Sequence, residues 1–132
     1  MASDAGAGPR KATVTNTLLG IGAYYVLAGE AVETDVTNGL ATTISATCNV
    51  TLVLIEVQPR RMDPLCSIRD KSTGRHYQLT TLQNRGTAAA AGSFVVTQSH
   101  GYELCVGIMT YYPGDIPGGR YDAPCVTLTS GV

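Results

Sequence analysis

The longest alternation of apolar and polar side chains in the chain covers residues 41–57. Ile44, Ala46, Cys48, Val50, Leu52 and Leu54 share one parity, and Thr43, Ser45, Thr47, Asn49 and Thr51 share the other. A period of two with one apolar and one hydroxylated face is the pattern of a half-buried β-strand. Beyond Leu52 both parities turn apolar, as in a strand end covered on both sides. At ~3.3 Å per residue the run reaches roughly 55 Å, longer than most strands. A bulge or bend is therefore expected near Cys48, and Gln58-Pro59 ends the run.

Asn38-Gly39 stands just ahead of this strand. Asn-Gly between alternating runs signals a type I′ hairpin, whose two central residues both need positive φ. Residues 31–37 should then pair antiparallel with the start of the long strand. Upstream, residues 12–19 and 23–28 read as strands separated by Gly20 and Gly22. Downstream, residues 65–70 and 75–82 form a hairpin around Lys71-Ser72-Thr73-Gly74, with glycine where the turn needs it. The stretch 84–92, NRGTAAAAG, reads as a loop. Residues 93–98 form a strand and 99–101 a turn. Residues 102–112 form a second long strand, with Leu104, Val106 and Ile108 on one face and Cys105, Met109 and Tyr111 on the other. Residues 113–119 read as an irregular loop, and 120–130 as a closing strand with Val126 and Leu128 inward. The Gly/Ala-rich residues 1–10 read as a flexible arm, and 11–132 as one domain. Eight or nine strands, turn signals every 8 to 12 residues and no helical period predict an all-β fold. The expected architecture is a single-domain antiparallel β-sandwich, jelly-roll-like, with a closed β-barrel as the alternative.

Composition narrows the function. The chain has 132 residues, enough for one core, and only 14% are charged, against roughly 25% in a typical domain. Thr, Ser, Ala and Gly replace the missing charge, and Lys11 and Lys71 are the only lysines. This suits an extracellular or particle-forming protein better than a cytosolic enzyme. A net charge of −1 excludes a global polyanion binder, so nucleic acid is not an expected partner. The apolar run at residues 18–28 is too short to span a bilayer. It is read as folded structure, although Arg10 and Lys11 ahead of it mimic a secretion signal.

Four cysteines, Cys48, Cys66, Cys105 and Cys125, contain no CxxC spacing, so no zinc site is implied. Cys48 and Cys66 share the parity of the apolar positions of their strands, and Cys105 and Cys125 sit opposite the apolar positions of theirs. Residues in one layer pair most easily. The expected disulfides among three connectivities are Cys48–Cys66 and Cys105–Cys125, each worth on the order of 3 kcal/mol in the chain-entropy model.

Catalytic signals are absent. His76 and His100 are the only histidines, and no nucleophile elbow, HExxH, phosphate loop or carboxylate pair accompanies them. No enzyme activity, cofactor or metal is expected, and Asp115, Asp122 and the Glu30/Glu33/Asp35 group lack calcium-loop spacing. Binding chemistry concentrates in Arg60, Arg61, Arg69, Lys71 and Arg75, with His76 and Tyr77 adjoining. These could meet a phosphate, a sulfated glycan or an acidic partner, or simply guard a sheet edge. Tyr111, Tyr112 and Tyr121 add aromatic surface near the last loop. Asn49-Val50-Thr51 is an N-glycosylation triplet on the polar parity. Acidic residues prevail in residues 1–57 and basic ones in 58–132, an asymmetry suited to packing of identical subunits. The expectation is a non-enzymatic structural or surface subunit of a virus or phage particle or a cell-surface assembly, acting through self-association. The alternative is a secreted, disulfide-bonded module or inhibitor that recognises a protein or an anionic glycan.

Overall fold

In the computed structural model, which describes residues 9–19, 23–34, 40–54, 61–84 and 87–130, two antiparallel sheets pack face to face. One sheet contains β1 (Arg10–Leu19), β2 (Ala23–Glu33), β3 (Ala41–Leu54), β6 (Thr80–Asn84), β7 (Thr87–Thr97) and β11 (Thr129–Ser130). Its order is β11-β1-β2-β3-β7-β6. The other contains β4 (Arg61–Asp70), β5 (His76–Gln78), β8 (Tyr102–Tyr112), β9 (Ile116–Asp122) and β10 (Val126–Thr127). Its order is β10-β8-β4-β5, with β9 also paired to β8. The all-β sandwich expected from the pattern is what forms; the closed barrel is not.

β3 lies inside the larger sheet, between β2 and β7. Thr42, Ile44, Ala46, Cys48 and Val50 are its buried parity, as the alternation requires. The expected bulge near Cys48 is absent. Gly29 faces Cys48, Cys48 faces Ala90, and both ladders run past this point without a register shift. Two flanking partners set the register of β3 residue by residue, which leaves no room for an extra one. Asn38-Gly39 lies outside the described residues, but β2 and β3 pair antiparallel, and Thr34 N–H reaches Thr43 O at 2.8 Å. The stretches read as separate strands at 23–28 and from 31 onward are one strand, β2. Of the expected arm, residues 1–8 lie outside the described residues, and Arg10 opens β1.

Three boundaries differ from the sequence reading. The alanine-rich stretch belongs to strand β7, paired with β3 and β6, and not to a loop. β9 begins at Ile116, within the expected irregular loop. β4 begins at Arg61, ahead of the expected start. Pro64, which has no N–H to give, is tolerated there because β5 pairs only with Ser67–Arg69. The expected strands 75–82 and 120–130 each divide. Leu79 joins β5 to β6, and Leu128 joins β10 to β11, so each leucine carries the chain from one sheet to the other. Both are buried, and both N–H groups stay on the smaller sheet, at Cys66 O (3.0 Å) and Tyr102 O (2.9 Å).

The core pairs small residues with large ones. The larger sheet offers Gly29, Ala31, Ala46, Ala88 and Ala90, while the smaller offers Ile68, Tyr102, Leu104, Val106 and Ile108. A Cβ on Gly29 would stand 2.9 Å from Val106 Cγ2 and 3.3 Å from Leu104 Cδ2. The disulfide Cys48–Cys66 ties β3 to β4 through this seam. The second disulfide, Cys105–Cys125, lies on the smaller sheet. Val106 accepts the Ala123 N–H and Leu104 faces Val126, so Pro124 and Cys125 together oppose Cys105 in a bulge. Both pairings are those expected from parity.

One end of the sandwich is polar inside. Arg10 is fully buried, and its guanidinium meets the equally buried Glu33 through Nε–Oε1 (2.9 Å) and Nη2–Oε2 (2.6 Å). The same guanidinium donates to the carbonyls of His100 (2.7 Å) and Gln98 (3.2 Å) and lies 5.7 Å from the Tyr102 ring centre. Two strands of one sheet are thereby fastened to the turn that leads into the other. Glu33 therefore does not belong to an exposed acidic surface as the charge asymmetry suggested.

Gly29→Val should overpack the seam and lower unfolding stability by about 1–3 kcal/mol, read from urea melts. Glu33→Ala should cost about 3–5 kcal/mol in the same assay, because it removes the carboxylate to which the buried Arg10 guanidinium donates twice.

Candidate functional site

The outer face of the smaller sheet carries most of the charged chemistry. Registers set its rows: His76 beside Arg69 and Glu103; Gln78 beside Ser67 and Cys105; Leu65 beside Gly107 and Asp122; Asp63 beside Met109 and Arg120. A groove of about 470 Å³ opens here, with Leu65, Val106, Ala123 and the Cys105–Cys125 disulfide among its walls. Its polar rim holds Ser67, Arg69, His76, Glu103, Arg120 and Asp122. Gly107 gives Asp122 its place, since a Cβ there would collide with the Asp122 carboxylate.

Each charge in the groove has an opposite neighbour. Arg69 Nη1 donates to Glu103 Oε1 at 3.0 Å, and Arg120 Nε to Asp122 Oδ2 at 2.8 Å. Ser67 Oγ and His76 Nδ1 share a hydrogen bond of 2.9 Å. Glu103 lies close to the sulfurs of Cys105 and Cys125, a trio of metal-ligand types. These sulfurs are bonded to each other and so are not thiolates; the trio is not a metal centre in this state.

The residues singled out from the sequence do not converge on one surface. Arg69 and His76 reach the groove. Arg61 lies further along the same face, held by Asp63 (3.2 Å) and Asp115 (2.7 Å) and stacked 4.1 Å from the Tyr111 ring centre. Its hydrogen bonds to these two carboxylates hold its pKa above the ordinary arginine value. Lys71 reaches Thr127 Oγ1 from the turn, and Arg75 lies over Tyr77. Tyr77 turns inward onto Phe94, and Tyr121 stacks on Tyr25 with ring centres 5.3 Å apart. Burial, then the neighbouring Tyr121 and Tyr112, pushes the Tyr25 hydroxyl pKa up. Tyr112 closes β8 against Gly118. Arg60 lies outside the described residues. Asn49 is exposed, on the outer face of the larger sheet.

Glu103, Arg120 and Ser67 stand outside the sequence expectation, and Asp122 enters it only as a calcium-type carboxylate without loop spacing. Strand parity puts Ser67 with Arg69 and Glu103 with Cys105, but which strand faces which depends on registers that no local motif encodes.

Asp70 and His100 form a second polar cluster beside the buried Arg10. His100 Nδ1 and Asp70 Oδ2 lie 2.7 Å apart, while Asp70 Oδ1 accepts the N–H groups of Ser72 (2.8 Å) and Thr73 (3.3 Å). Burial pushes the Asp70 pKa up, but His100 and the two backbone donors outweigh it and hold the carboxyl below its ordinary value. Asp70 thereby shapes the Lys71–Gly74 turn and joins it to the 98–101 turn.

No protein-family model, characterised protein or solved structure matches the chain.

Because the Asp70 carboxyl is more acidic in the folded chain, its contribution is fully present above the unfolded value of about 4 and fades as pH falls through the lower folded value. Asp70→Asn should be less stable than the parent at neutral pH by about 1–3 kcal/mol. The gap should narrow as melts are repeated from neutrality down toward about pH 3.

Proposed function

We propose that the protein is a non-enzymatic structural or surface subunit that works by self-association, as part of a particle or a cell-surface assembly. The observation that carries this reading is the outer face of the larger sheet. Its exposed parity reads Lys11, Thr13, Thr15 and Thr17 on β1; Val26, Ala28, Glu30 and Val32 on β2; Thr43, Ser45, Thr47, Asn49 and Thr51 on β3. β7 continues it with Ala89, Ala91, Ser93 and Val95. Among the described residues only Lys11 and Glu30 are charged on this face, whereas the smaller sheet shows Arg61, Asp63, Arg69, Glu103, Arg120 and Asp122. Val32 and Val95 are among the exposed large apolar side chains. Short hydroxylated and apolar side chains lose little rotamer entropy and no ionic hydration when covered. A broad face of this kind suits burial against another copy better than lasting exposure.

The two disulfides support life in an oxidising place, outside the cytosol or in a matured particle. The internally balanced charges of the groove support packing over the capture of a polyanion.

Sedimentation velocity over a concentration series tests the reading. The expected result is a species heavier than the 13.8 kDa chain. Thr47→Lys, beside Glu30 in the middle of this sparsely charged face, should shift it toward lower mass. A single monomeric boundary at every concentration would end the proposal.

A further inference from the structure

We infer that two copies meet edge to edge along β6, as an antiparallel pair whose two-fold axis passes through Leu82. The inference rests on the self-association proposed above and names a contact for it. It follows from a comparison of the sheet edges. β10 and β11 expose two residues each, and β5 three, too few to hold a partner strand. Among the described residues β1 is also open on its far side beyond Lys11, but the middle of that run is Thr15 and Asn16, with no long apolar side chain to cover. β9 is longer than β5 but obstructed. It contains Pro117, which has no N–H, and Gly119 at φ +141°, and its ladder with β8 shifts register between Thr110 and Tyr111. These are the devices by which sheets keep their edges from pairing.

β6 has none of them. Its five residues, Thr-Thr-Leu-Gln-Asn, include no charge, no proline and no glycine. Its ladder with β7 is regular from Thr80↔Ala91 to Asn84↔Thr87. It is the terminal strand of the larger sheet, and no strand covers its far side among the described residues. Leu82, at its centre, is 53% exposed on the outer face beside Ala89. A long apolar side chain in the middle of an unguarded edge calls for a cover.

A second copy fits this edge because of symmetry. Antiparallel pairing about Leu82 sets it against Leu82 of the partner subunit, with Thr80 facing Asn84 of the partner subunit. A self-complementary contact places each residue opposite its symmetry mate, so any charge at the centre would meet its own sign. An uncharged strand with an apolar centre avoids that conflict. The result is a continuous twelve-stranded sheet, twice the six strands of one chain, whose sparsely charged outer face is doubled in width. A five-residue edge covers far less than the roughly 1,200–2,000 Å² of a standard interface. Edge pairing alone therefore gives a concentration-dependent dimer and leaves the broad face for a second contact.

Charge reversal at the axis is the test. Leu82 is exposed, so Leu82→Lys and Leu82→Glu should melt like the parent. Each variant alone should lose the edge contact, so that its assemblies are lighter than the parent's at the same concentration. Mixed in equal amounts they should recover it, because lysine then faces glutamate across the axis. Hydrogen exchange of residues 80–84 should slow with concentration in the parent and in Thr47→Lys, but not in either Leu82 variant alone. If both Leu82 variants keep the parent's mass and concentration-dependent protection while Thr47→Lys loses mass, the edge inference fails and the self-association reading stands. If the parent itself is monomeric throughout, both fall.

Discussion

The close approach of the two sheets is the constraint on which the rest of the fold depends. At Gly29 the backbone of the larger sheet comes so near Val106 and Leu104 that not even a methyl group fits without displacement. Large side chains from β8 and β4 fill the gap here, so small residues surround Gly29, while Leu27, Ile44 and Val50 stand further along the same face. Ala31, Ala46, Ala88 and Ala90 are these small residues. The Cys48–Cys66 bond belongs to the same seam, since it bridges the sheets where Cys48 faces Gly29 on one side and Ala90 on the other. The alanine run of β7 is thus a packing solution, and its low complexity reflects the shape it must fill.

This explains which features were legible in the sequence. The long alternations of β3 and β8 were readable because each buries one parity, and both disulfides followed from the same parity. The turn at Gly74 was readable because its positive φ demands glycine. The β7 strand was not. Alanine has weak strand preference, and a run of alanines has no alternation, because small residues serve equally on the core face and on the outer face. Arg10 was hidden for another reason. A charged residue beside a Gly/Ala-rich terminus looks solvated, and its burial depends on Glu33, twenty-three positions away. The groove was partly visible through Arg69 and His76, but its carboxylates come from strands brought alongside only by tertiary registers.

Charge is distributed by the same logic. Inside, Arg10 and Glu33 satisfy each other and hold two backbone carbonyls, which is the condition for burying ions at all. On the smaller sheet Arg61, Arg69 and Arg120 each find a carboxylate in the same row or the next. In the basic hairpin that looked like an anion-binding feature in the sequence, Arg61 and Arg69 are therefore matched by carboxylates, while Arg75 lies over Tyr77. What stays unbalanced is hydropathy. One outer face carries ion pairs, and the other carries hydroxyls, methyls and valines.

Leu79 and Leu128 complete the physical picture. At each lateral margin the chain crosses between sheets within a single buried residue, and each crossing leucine keeps its N–H on the sheet it is leaving. Crossings of this kind stitch the margins without closing a barrel, since no ladder runs around the corner. They also determine where an edge can remain. At Leu128 both flanking strands are two residues long, and β11 covers only Arg10 and Lys11 of β1. At Leu79 the short partner is β5, and the strand beyond it, β6, continues for five residues on the larger sheet. The open edge at β6 is thus a consequence of where one leucine turns the chain.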